Sequence, residues 1–166
     1  MRGILLIFIW TIALGCFSEA DSFGIKPIPF EGGWPSNRGA VFEIPSIEDP
    51  QNRRFDLFIL IRNDDNYPFQ NLFLISTIKD SVKIQSKDTL EYMMANPDGS
   101  WMGSGYGSIK ESKLVFKENH QFLSSGPNII EIFQFMRKID HEKKVDTLFG
   151  VIDVGLSVIE RSPFKI

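Results

Sequence analysis

Along most of the chain, apolar and polar side chains alternate with a period of two, in short runs parted by turn-forming residues. That is the signature of half-buried strands rather than helices. Phe55 to Arg62 is the clearest run: Leu57, Ile59 and Ile61 face one way, and Asp56, Phe58, Leu60 and Arg62 the other. Asn63-Asp64-Asp65-Asn66 then breaks the chain before Pro68. Further strands are expected at Val41 to Ile44, Leu72 to Ile78 and Thr89 to Ala95, where Leu90, Tyr92 and Met94 share a side. Asn96-Pro97-Asp98-Gly99 carries the chemistry of a tight turn. Weaker strands are expected at Lys113 to Phe116 and Gln121 to Leu123, and long ones at Ile129 to Met136 and Val151 to Glu160.

About eight strands at fairly even spacing, with no sustained period near 3.6, make the chain all-β. The expected architecture is an antiparallel β-sandwich of jelly-roll type. Fifteen Phe fit that reading, since aromatic residues favour strands.

The first fifteen residues break the pattern. Arg2 and the amino terminus are followed by an apolar run from Ile4 to Leu14, too short for a helix spanning a bilayer but the right length for a signal-peptide core. Ala13 and Gly15 are small and stand just before Cys16, and Ser18, Glu19, Asp21 and Ser22 follow. The arrangement resembles the lipobox of bacterial lipoproteins, with Ala13 and Leu14 in swapped order relative to the common pattern. What the resemblance implies is cleavage between Gly15 and Cys16 and acylation of the Cys16 sulfur, palmitate included. One acyl chain holds a protein only marginally, and two or three hold it durably. An ordinary cleaved signal peptide with a chance cysteine nearby is the alternative. Residues 16 to 40, with Pro27, Pro29, Gly32, Gly33, Pro35 and Gly39, read as a lipidated tether with some ordered contacts from Phe30 and Trp34. The sandwich domain is then expected over 41 to 166.

Composition narrows the function further. Cys16 is the only cysteine, so internal disulfides and cysteine metal clusters are excluded. Without the leader, 17 basic residues stand against 21 acidic ones with no basic block, which argues against nucleic acid. His120 and His141 both lie in polar turn segments and are expected to be solvated. Gly103-Ser104-Gly105-Tyr106-Gly107 lacks the Lys-Ser/Thr and the βαβ context of a phosphate loop, and reads as a bulged hairpin. Asp88, Glu91, Asp98 and Asp153 are expected on wet strand faces rather than as a hydrolytic carboxylate pair. No cofactor, metal site or small-molecule substrate is expected. Trp101, between the Asp98-Gly99 turn and Gly103 and Gly105, is expected to pack at a core edge. With Tyr106 or Tyr92 it is also the candidate for a sugar-binding surface.

Arg62-Asn63, Tyr67-Pro68-Phe69, Asn71 to Leu74, Asp88 to Tyr92, Asn96 to Trp101, Gln134, Met136-Arg137 and Gly150 to Leu156 occur in that order. Taken as an ordered set behind a lipobox, they resemble the GldH family of gliding-motility lipoproteins of the Bacteroidetes, over about residues 40 to 160. Phe69, where Tyr is common, and Met93-Met94, where polar residues often alternate, are modest departures. The resemblance implies a non-catalytic, lipid-anchored protein of the cell envelope; Phe17 after the cysteine, where an Asp would retain a lipoprotein at the inner membrane, with Glu19 and Asp21 beyond it, points the anchor to the outer membrane. The protein would work beside other motility proteins and the type IX secretion apparatus. It supplies no catalytic residues. Asn96 to Gly99 then serve as a turn, Gly103, Gly105 and Gly155 as places of close backbone approach, and Asp153 and Arg137 as a cross-strand pair.

Overall fold

The computed structural model describes residues 22 to 138 and 143 to 161; the expected signal segment, Cys16 and His141 lie outside them. The described residues form ten strands: β1 (Ser22–Pro29), β2 (Trp34–Pro35), β3 (Ala40–Ile44), β4 (Phe55–Asn63), β5 (Asn71–Lys79), β6 (Ile84–Met93), β7 (Lys110–His120), β8 (Asn128–Gln134), β9 (Thr147–Leu148) and β10 (Val151–Glu160). Two four-stranded sheets, β1-β10-β4-β7 and β3-β8-β5-β6, carry the eight long strands, and β2 pairs with β9 in a short ladder. Every pairing is antiparallel. Numbering the long strands alone, the sheets run 1-8-3-6 and 2-7-4-5, the order of a jelly roll.

The alternation in the sequence becomes the core. Phe55, Leu57, Ile59 and Ile61 of β4 and Val154, Leu156 and Val158 of β10 are buried. So are Phe42 and Ile44 of β3, Leu72, Leu74 and Ile78 of β5, and Ile130 and Ile132 of β8 in the other sheet. Each such side chain contributes roughly 1.5–3 kcal/mol by leaving water. The seam between the edge strands β6 and β7 is closed by polar contacts. The Tyr92 hydroxyl donates to Val115 O at 2.7 Å, and Lys117 pairs with Asp88 at 2.9 Å.

Four sequence expectations change. Residues 22 to 29, within the stretch read as a tether, form β1 and pair with β10 from Ser22↔Ile159 to Pro29↔Asp153. Pro27 and Pro29 are tolerated because β1 is an edge strand with one neighbour, and the register shifts between Ile25 and Ile28. Gln121 to Leu123 is not a strand, yet Phe122 is fully buried and meets Phe55 edge-on at 5.5 Å between centroids. His120 is the last residue of β7 and half-buried, its ring 4.7 Å from that of Phe122. Its Nε2 is buried with no hydrogen-bond partner, and burial pushes its pKa down to about 4, helped by Lys117 and opposed by Asp88. Asp153 pairs with Arg62, not Arg137. Its register partner on β10's neighbour β4 is Arg62, whose Nε lies 2.9 Å from both carboxylate oxygens. Arg137 follows β8 in the other sheet and stacks over Phe135.

Strand directions give the sandwich two distinct ends. The base holds the start of β1, the end of β10, and the β3–β4, β5–β6 and β7–β8 connections. The crown holds the β1–β3 connection with β2, the β4–β5 and β6–β7 loops, and the β8–β10 connection with β9.

Candidate functional site

The crown gathers the long loops and most of the residues singled out from the sequence. Its β4–β5 loop is built on Asp64. The Asp64 amide donates to Gly150 O at 2.8 Å, its Oδ1 accepts from the Asn66 amide at 2.9 Å, and its carbonyl accepts from the Tyr67 amide at 3.1 Å. Tyr67 drops into the core and its hydroxyl donates to Asn71 O at 2.7 Å; burial raises its pKa. Gly150 closes the β9–β10 turn with φ at +79°. A Cβ there would lie 2.1 Å from the Tyr67 amide nitrogen, so only glycine lets the two loops touch.

The β6–β7 loop folds as two stacked narrow turns. Ala95 and Trp101 bridge across the first, and Gly99, at φ +86°, donates to Asn96 O at 2.9 Å. Asp98 is spent inside this turn. The Ser100 hydroxyl donates to its Oδ1 at 2.6 Å and the Ser100 amide at 2.9 Å, which holds its carboxyl below the usual range. Trp101 is half-buried against the core, its ring 6.0 Å from that of Tyr67 and its Nε1 donating to Asp65 Oδ1 at 3.2 Å. Ser104 and Glu111 bridge across the second turn, where Gly103 and Gly105 run too close to the backbone of Glu111 and Ile109 for any side chain. Tyr106 projects from the tip, 98% exposed.

All five residues of the predicted signature, Asp98, Gly99, Trp101, Gly103 and Gly105, therefore share one loop, but they line neither of the two large concavities of the crown. Those lie around Phe149, which is 60% exposed and borders both. On one side, Pro68, Phe69 and Val145 make an apolar floor with Lys138, Lys143 and Lys144 at the margin, enclosing about 670 Å³. On the other, Phe30, Gly32 and Gly33 meet Glu31, Asp64 and Asn66 around about 660 Å³. One concavity is basic and the other acidic, and a single aromatic ring divides them. Phe135 nearby is flanked by two cations, Arg137 at 4.9 Å and Lys144 at 4.3 Å.

Sequence reasoning missed this pair of hollows because their residues come from four separate segments. The Lys143-Lys144 pair and the Phe149-Gly150 step were the signals available. Among the described residues, no group of three His, Cys, Asp or Glu is placed to hold a metal ion. The one described histidine, His120, sits at the base, away from both hollows. Chemically, the crown offers apolar area and opposite charges, which suit recognition of another surface.

Comparison with known proteins is consistent along nearly the whole chain. The family model described as GldH lipoprotein matches residues 26 to 158. A protein of Christiangramia forsetii, "Gliding motility lipoprotein GldH homolog", is 38% identical over 160 residues, covering 95% of this chain and 97% of its own. "Gliding motility lipoprotein GldH" of Flavobacterium johnsoniae is 38% identical over 145 residues, covering 87% and 84%. No solved structure matches.

Proposed function

Since the chain belongs to the GldH lipoprotein family, we propose that it is a lipid-anchored envelope component of the gliding machinery that acts by protein contacts and not by catalysis. The observation that carries this reading is the family match, which runs through both sheets and the crown alike. In it, the leader is removed between Gly15 and Cys16, and acyl chains on Cys16 hold the domain at the outer membrane. Confinement to a surface raises its effective concentration beside partners there. Those partners are other motility proteins and the type IX secretion apparatus. The crown is the contact surface, with Phe149 as the apolar centre and opposite charges on either side to fix orientation.

A sugar-binding role gains no support from the aromatic residues proposed for it. Trp101 is tied to Tyr67 and Asp65, Tyr92 spends its hydroxyl on Val115, and Tyr106 stands alone at a loop tip.

Deletion of the gene in a gliding host, scored for colony spreading and for secretion of surface adhesins, tests the reading. Spreading should be lost, and restored by the wild-type chain but not by Cys16→Ser. Spreading unchanged by the deletion would refute it. Replacing Phe149 with Glu should abolish recovery of envelope partners by detergent pull-down while leaving the fold intact.

A further inference from the structure

We propose that the base of the sandwich rests on the lipid surface that holds the anchor, with Val82, Ile84 and Leu123 as its apolar contacts. The inference rests on acylation at Cys16. Only five residues, and so six Cα–Cα steps, separate Cys16 from Ser22, the first residue of β1. Whatever its conformation, such a stretch spans at most about 20 Å. β4, with nine residues, measures roughly 30 Å from base to crown. A tether that starts at the base is therefore too short to let the crown turn toward the bilayer.

The base is built to meet such a surface. Asp80 accepts hydrogen bonds from the amides of Val82 and Lys83, both at 2.8 Å, which fixes the β5–β6 turn. Val82 is left 88% exposed at its tip, and Ile84 is 61% exposed beside it. The Leu123 amide reaches Gln85 Oε1 at 3.5 Å, so the β7–β8 loop lies against the start of β6, just past that turn, with Leu123 62% exposed. Single exposed apolar residues are ordinary, but here three stand at one end of the sandwich, on the β5–β6 turn, the first residue of β6 and the adjoining β7–β8 loop, with Lys83 among them. Aliphatic tips with a nearby lysine suit the headgroup boundary. Exposed apolar residues also occur at the crown, Phe149 and Tyr106 among them. Exposure alone does not choose between the ends; the length of the tether does.

The base is held as one unit. The Ile47 amide donates to Ser125 O at 3.1 Å, Gln121 Nε2 to Gln51 O at 2.9 Å, and Gln85 Nε2 to Asn128 Oδ1 at 2.8 Å. The three apolar tips thus move together with the domain.

Once the Cys16 sulfur carries lipid, an introduced cysteine is the only free thiol in the mature chain. The acylated full chain is reconstituted in vesicles of phosphatidylethanolamine and phosphatidylglycerol. Nitroxide labels are placed in turn at Val82→Cys, Leu123→Cys, Tyr106→Cys and Phe149→Cys, all exposed positions whose replacement leaves the core untouched. On anchoring, labels at 82 and 123 should lose accessibility to a water-soluble relaxant and gain it toward oxygen, while those at 106 and 149 stay unchanged. Loss at 106 or 149 instead, or no change at any of the four, would overturn the docking while leaving the anchor in place. A chain that fails to float with the vesicles would overturn the anchor itself, and the docking with it.

Discussion

The base and the crown are both assemblies of loops, yet they are fastened by different means. At the crown, backbone meets backbone: Asp64 and Tyr67 lie directly on Gly150, and the buried ring of Tyr67 with the half-buried ring of Trp101 locks the layer below. At the base, side-chain ion pairs join the hydrogen bonds between loops, Arg53 with Glu160 and Arg161 with Asp56, around the buried rings of Phe55 and Phe122. The crown should therefore fail through shape, and the base through charge and pH.

Gly150→Ala is expected to have the largest effect. A left-handed backbone and a Cβ forced into the Tyr67 amide together should cost about 3 kcal/mol or more. Gly99→Ala is the control: φ is also positive, but nothing lies within 4 Å, so only the conformational penalty of about 1–2 kcal/mol remains. Chemical denaturation of the two variants side by side measures the difference. Equal losses would mean that the Gly150–Tyr67 contact contributes nothing.

Asp153→Asn comes next. Asp153 is buried but its partner Arg62 is largely solvated, so the change should cost about 1–2 kcal/mol, between the values for surface and buried pairs. Arg137→Gln, by contrast, should leave Asp153 undisturbed and the midpoint of denaturation within about 0.5 kcal/mol of wild type.

At the base, His120 makes stability depend on pH. Its folded pKa of about 4 lies below the ordinary 6.5. Between those values the unfolded chain binds a proton that the folded chain refuses, so stability falls as pH drops through 6.5 and levels off below about 4. Glu160, held below its usual range by hydrogen bonds from Arg53, adds a second loss at lower pH. His120→Gln should flatten the upper window and leave the lower one. A pH profile identical to wild type would show that His120 is not buried in solution.

How much of this was readable beforehand follows from what each segment needs to bury. β4, β5 and β8 alternate cleanly because each is paired on both sides and faces the opposite sheet, so their faces are written residue by residue. β1 was hidden because an edge strand tolerates Pro27 and Pro29, which in a central strand would remove ladder hydrogen bonds. Gln121 to Leu123 misled because Phe122 is fully buried from a loop. His120 was read as solvated from its polar neighbours Glu118, Asn119 and Gln121, while its actual neighbour in space is a phenyl ring. The turn at Asn96 to Gly99 was legible because local hydrogen bonds alone define it. The hollows around Phe149 were not, since they depend on which distant loops the jelly roll brings to one end.

The claim on which most depends is the lipid at Cys16, and intact-mass analysis of the chain extracted from envelope membranes tests it directly. The expected species begins at Cys16 and carries the added mass of a diacylglyceryl group, with or without a further acyl chain. A chain that begins elsewhere, or begins at Cys16 with an unmodified thiol, would contradict it.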